Sequence, residues 1–183
     1  EFLSCDPENK HDVWLWQGVS SDVINVANPQ AVQFAKDVID ELTELFPFGY
    51  IHLGGDEAAV QQNWAKCPDC LALMEKMGYD KPSQLMIPFF EKILDIVRKN
   101  GKEPVLWCEL DNIWPPAHDY LFPYPADVTL ITWRNALTPK CIELTRKYGH
   151  KLIMAPEGMD FTVAEMEAAV EFQEKYYRSH VEK

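Results

Sequence analysis

Asp56 and Glu57 are adjacent acids that follow Gly54-Gly55 at the end of the short apolar run Tyr50–Leu53, and no other grouping in the chain is better suited to chemistry. Two carboxylates directed into one cleft repel each other, an arrangement that proteins keep for proton transfer or for a metal. In a regular strand, neighbouring side chains point to opposite faces. Two glycines before the pair loosen that rule, because a backbone without Cβ atoms can turn sharply or let a ligand approach closely. The same dipeptide would also suit the first turn of a solvated helix, where acids meet the positive end of the dipole.

Other chemistry-bearing residues recur at the ends of apolar runs. Trp107 and Glu109 lie in Pro104–Leu110, and Trp133-Arg134 closes Val128–Trp133. Flat aromatics and carboxylates are the usual furniture of sugar sites, although a single Trp in an apolar strand is more often core. His52 has the strand parity of Asp56 and is expected on the same side, against the alternative of a satisfied core histidine. Cys67-Pro-Asp-Cys70 raises zinc or redox chemistry. No second C-x-x-C or H-x-x-x-H accompanies it, so a structural pair or local disulfide is preferred. The five cysteines (5, 67, 70, 108 and 141) are an odd number, which leaves at least one outside any internal pairing. His52, Asp56 and Glu57 match no strong ligand pattern, so no metal and no cofactor is expected.

Elements in alternating order must position these groups. Asn28 can cap a helix that Pro29 begins, with Val32, Ala35, Val38, Ile39, Leu42 and Leu45 as one apolar stripe. The strand Tyr50–Leu53 follows, then a loop rich in Gln and Cys and a short helix over Leu71–Met77. Ser83 opens a longer helix that Asn100-Gly101 closes, with Pro88 an awkward interior residue unless it falls in the first turn. Strands are predicted at Pro104–Leu110, Val128–Trp133 and Lys151–Ala155, with a helix from Thr138-Pro139 to Gly149 before the last. The tail from Val163 to Lys183 is helical in character. Strands alternating with helices point to a parallel sheet under covering helices, and no linker or repeat divides residues 1–183.

Composition narrows the partners. With 183 residues and 47% hydrophobic side chains the chain can bury a substantial core, and its net charge of −12 argues against nucleic acid or an anionic membrane surface. No apolar run approaches the roughly 20 residues of a membrane span. No Asn-x-Ser/Thr sequon is present, which leans towards a bacterial source.

The string His52-x-Gly54-Gly55-Asp56-Glu57 resembles the signature of glycoside hydrolase family 20, the β-N-acetylhexosaminidases. The resemblance covers residues 1 to about 157 and implies an α/β fold, a partial (β/α)8 barrel carrying roughly strands 4–7 with their helices. Four strands are half of the eight such a barrel needs. The chain is therefore expected to be a fragment of a single catalytic domain, with open edges through which it could self-associate.

The implied activity, for the whole barrel, is retaining, substrate-assisted removal of terminal β-linked GlcNAc or GalNAc from glycans or chitooligosaccharides. That mechanism departs from the two-carboxylate scheme of most glycosidases. In it Glu57 is the general acid and then the base, and Asp56 holds the acetamido group. Trp107, Glu109 and Trp133 bind sugar, with His52 and Arg134 in support behind them. Similar Cys-Pro-x-Cys segments follow the signature in bacterial members, which favours a structural role for Cys67 and Cys70. A periplasmic or secreted location is expected.

The sequence also departs from the family. Cys108 stands where an acid or amide is common. Residues 156–163 contain no Tyr, which puts the usual acetamido contacts after the seventh strand in doubt. A non-catalytic carbohydrate-binding or scaffold half-barrel is the alternative.

Overall fold

A computed structural model describes residues 4–5, 23–58, 60–108, 124–135, 137–155, 171 and 175. Glu109, residues 156–163 and nearly all of the predicted C-terminal helix lie outside the described residues.

Among the described residues five helices and four strands follow one another as α1 (Pro29–Leu45), β1 (Tyr50–His52), α2 (Val60–Asn63), α3 (Pro68–Met77), α4 (Met86–Lys99), β2 (Glu103–Trp107), β3 (Thr129–Thr132), α5 (Thr138–Tyr148) and β4 (Leu152–Met154), with a 3-10 turn at Pro82–Leu85 before α4. The strands form one sheet in the order β1-β2-β3-β4, with every pair parallel. This is the α/β arrangement predicted from the alternating pattern.

Local signals set most boundaries. Asn28 accepts a hydrogen bond from the Gln30 amide at 2.9 Å, and Pro29 fills the first helical position, where no amide is needed. Gly78 and Gly149 end α3 and α5 in the left-handed conformation. Three expectations need correction. α3 begins at Pro68 rather than Leu71, because Cys67-Pro68 supplies a cap and first turn that apolar spacing does not reveal. The loop before it contains the short helix α2. The helix expected from Ser83 is split, with a 3-10 turn first, and Pro88 becomes the third residue of α4, within the first turn.

Register assigns the sheet faces. Ile51 pairs with Pro104, Leu106 with Leu130 and Leu130 with Leu152, so these side chains share the face on which the core forms. Phe90 and Leu94 of α4 and Leu137, Cys141 and Leu144 around α5 are buried in the same cluster. Each fully buried side chain of this size contributes about 1.5–3 kcal/mol. The other face carries His52, Val105, Trp107 and Ile131.

α1 is less enclosed than its apolar stripe predicts. Val32 is buried, but Val38 and Leu45 are exposed, as are Phe34, Phe46, Phe48 and Tyr50. α1 packs on α4 and is tied there by Asn100, whose amide donates to Asp40 at 2.7 Å. Among the described residues nothing covers its outer side.

Candidate active site

The β1–β2 ladder runs past the end of β1. The Leu53 amide donates to Val105 O at 2.8 Å, and the Trp107 amide donates to Gly54 O at 2.9 Å. The chain then breaks from the sheet through Gly54 at φ 74° and Gly55 at φ 96°. A Cβ on Gly55 would also sit 3.4 Å from Phe90 Cζ and 3.6 Å from Leu106 Cδ2. Gly55→Ala is therefore expected to lower stability by about 1–3 kcal/mol through the backbone alone. The urea midpoint checks this, and an unchanged midpoint would mean that the turn can relax.

Glu57 follows at φ 45°, and no other non-glycine among the described residues has a positive φ. A left-handed residue with a Cβ costs about 1–2 kcal/mol, and such strain is characteristic of functional turns. Its side chain is fixed by Arg134, whose Nη2 donates to Glu57 Oε1 at 2.7 Å. Arg134 is 8% exposed, whereas the Glu57 side chain is 38% exposed. The turn into α5 holds Arg134 in turn, since the Leu137 and Thr138 amides donate to its carbonyl at 3.0 and 3.1 Å.

The aromatics link this ion pair back to β1. The Arg134 guanidinium lies 4.5 Å from the centre of the Trp133 ring. Trp133 meets Trp107 edge-on at 6.5 Å, and Trp107 meets the His52 ring at 4.9 Å. His52 Nδ1 accepts a hydrogen bond from the Gly54 amide at 2.9 Å, so the proton of the neutral ring is on Nε2. Desolvation holds the His52 pKa below its ordinary value, and the negative charge of Asp56 opposes that shift in part. His52 and Asp56 are both exposed, so His52 is not a core histidine.

Five of the side chains singled out in the sequence, His52, Glu57, Trp107, Trp133 and Arg134, thus form one continuous arc at the C-terminal ends of three neighbouring strands. Asp56 is beside it, within electrostatic reach of His52.

Other residues are placed elsewhere. Trp64 is buried, with its indole N–H donating to Ile24 O at 3.0 Å, so it packs beneath the loop. Cys108 lies on the helix-packed face at 2% exposure, and its replacement of an acid or amide takes nothing from the arc. Cys67 and Cys70 are both buried and are not joined by a disulfide, so of the expected structural pair or local disulfide the second is not formed. Cys5 lies against them and holds the Cys70 thiol down at about 7, while its own is pushed up. Cys5 is 65 residues from Cys70, and no sequence spacing announced the contact.

Parallel strands with covering helices and with polar groups gathered at the strands' C-terminal ends define the α/β class whose ligand sites lie at that end. The catalytic-domain profile of glycosyl hydrolase family 20 matches residues 1–182, and the chain belongs to that family. The catalytic domain of the family is a (β/α)8 barrel.

A β-hexosaminidase from Akkermansia muciniphila is 33% identical over 156 residues, covering 85% of this chain and 29% of the relative. The crystal structure of a β-N-acetylhexosaminidase superposes with a TM-score of 0.70 at 31% identity, over 84% of this chain and 31% of the other. An exo-β-N-acetylglucosaminidase from Vibrio harveyi, solved in complex with N-acetylglucosamine, gives 0.59 at 29% identity over 74% of this chain and 19% of the other. The chain thus spans about three-tenths of the length of the Akkermansia relative. Among the described residues no helix is long and apolar enough to cross a membrane.

Proposed function

We propose that the protein is a retaining, substrate-assisted exo-β-N-acetylhexosaminidase acting on terminal β-linked GlcNAc or GalNAc of glycans or chitooligosaccharides. The observation that carries this reading is the arc at the strand ends, closed by the Arg134–Glu57 hydrogen bond. Glu57 Oε1 accepts from Arg134, which leaves Oε2 to carry the proton that the glycosidic oxygen takes as its bond breaks. Arg134 then acts as a positioning residue, fixing the direction in which that proton is offered.

Asp56 holds the acetamido N–H of the sugar and turns the amide oxygen towards the anomeric carbon. As an oxazolinium-type intermediate forms, its negative charge offsets the positive charge on the ring nitrogen. Glu57, now ionised, removes a proton from the water that reopens the intermediate. Trp107 and Trp133 offer faces for the apolar side of the pyranose, and Glu109 hydrogen-bonds a hydroxyl or braces Glu57. His52 fixes the turn through its bond from the Gly54 amide.

The test compares two nitrophenyl glycosides that differ only at carbon 2. The 2-acetamido β-glucoside should be cleaved and the 2-hydroxy β-glucoside left almost untouched. Comparable rates on the two would remove the acetamido group from the mechanism.

We further propose that β1–β4 correspond to barrel strands 4–7 and that residues 1–183 form part of one catalytic domain. The limited share of the relatives that this chain covers and the exposed apolar side chains leading into and opening β1 (Phe46, Phe48 and Tyr50) support this. The same surface favours the alternative of a non-catalytic half-barrel that self-associates through its open edges. Sedimentation of the isolated 183-residue chain should show dimers or larger species. A well-folded monomer at tens of micromolar would count against both the strand assignment and that alternative.

A further inference from the structure

Three of the five cysteines, none of which the glycosidase reading uses, come together from two distant parts of the chain. The Sγ atoms of Cys5, Cys67 and Cys70 all lie within 4.8 Å of one another, and Cys5 Sγ is 3.8 Å from Cys70 Sγ. Sulfurs bound at about 2.3 Å to a tetrahedral zinc ion stand about 3.8 Å apart, along one edge of the tetrahedron. A disulfide would bring two of them to about 2.05 Å.

An amide oxygen lies beside one of these sulfurs. Asn25 is 5% exposed, and its Oδ1 lies 3.5 Å from Cys70 Sγ. An oxygen and a sulfur on neighbouring corners of such a site are separated by about 3.6 Å. The Asn25 amide is oriented by both of its ends: Oδ1 accepts from the Ala27 amide at 3.1 Å, and Nδ2 donates to Asp69 at 3.3 Å.

We propose that Cys5, Cys67 and Cys70 bind a thiophilic divalent cation, of which zinc is the prime case, with Asn25 Oδ1 at the fourth position. Binding replaces three S–H protons, released to solvent, by three metal–thiolate bonds, and no redox step is involved. The ligand set closes the coordination sphere with protein atoms, which makes the site structural rather than catalytic.

The three cysteines and Asn25 come from three segments, at Cys5, at Asn25 and at the start of α3. Among the described residues Ser4 meets Ile24 in an isolated antiparallel bridge, and Cys67 caps α3 at the far end of the loop that follows Glu57. The metal would therefore clasp that loop to the segment before α1. Cys67 and Cys70 also belong to the cluster that contains Phe90, the residue against Gly55. This proposal does not depend on the glycosidase reading, because its readout is metal content.

The experiment is elemental analysis of the protein purified under reducing conditions with zinc supplied, followed by gel filtration. One zinc per chain is expected, lost in the Cys67→Ser/Cys70→Ser double variant and retained in Cys141→Ser. If the double variant fails to fold, cobalt substitution of the wild-type protein decides. A thiolate-to-cobalt charge-transfer band with the intensity of three thiolates is expected. No metal in the wild type, no such band, or a Cys5–Cys70 disulfide in the native protein by peptide mapping would overturn the proposal.

Discussion

Replacing Glu57 by Gln should lower kcat on a substrate with a sugar leaving group by about a hundred- to ten-thousand-fold, the range over which positioned general acids act. Substrate affinity should change little, because the amide has the size and shape of the carboxyl. The fold should hold as well: a Gln carbonyl oxygen can still accept from Arg134, as Glu57 Oε1 does at 2.7 Å. Glu57→Ala is the less informative variant. It strips a guanidinium that is only 8% exposed of this acceptor, and a loss of activity would then mix chemistry with disturbance of the site. Steady-state kinetics together with the urea midpoint of each variant separate the two effects.

The second large effect is expected at Asp56. Asp56→Ala should reduce kcat on 2-acetamido substrates by about a hundred- to a thousand-fold, the size of loss that follows removal of one group preorganised towards a developing charge. Asp56→Asn should fall between this variant and the wild type, since it keeps a hydrogen-bond acceptor for the acetamido N–H and loses the charge. The order wild type, Asn, Ala is the signature, read from kcat at saturating substrate. An Asn variant as active as the wild type would show that the charge on Asp56 does nothing for the intermediate. Asp56 is exposed, so neither substitution should cost much stability.

Much of the frame was legible in the sequence because it is written in local signals. Apolar runs mark the four strands, and Asn28-Pro29, Gly78 and Gly149 mark helix ends. Asp56 and Glu57 stood out by type and by the glycines before them. The contacts between segments were not legible. Arg134 could be expected to meet some carboxylate, but only the parallel register and the turn into α5 bring it to Glu57, 77 residues earlier. The positive φ of Glu57 is equally hidden, since it sits on a residue that rarely adopts one. Asn25 gave no sign of its place beside Cys70, because the partner that holds its Nδ2, Asp69, is 44 residues away. The apolar stripe of α1 misled in the opposite sense. Periodicity shows which face can be covered, and Val38 and Leu45 remain uncovered among the described residues.

The central claim is that Glu57 gives its proton to the leaving oxygen. It is tested most directly by the ratio of wild-type to Glu57→Gln kcat/KM, which covers only the steps up to departure of the phenol, across aryl 2-acetamido-β-glucosides whose phenols span several units of acidity. A leaving group that departs readily as an anion needs no proton. The ratio should therefore be small for a dinitrophenol and rise steadily as the phenol becomes less acidic. The same ratio for every phenol would contradict the assignment.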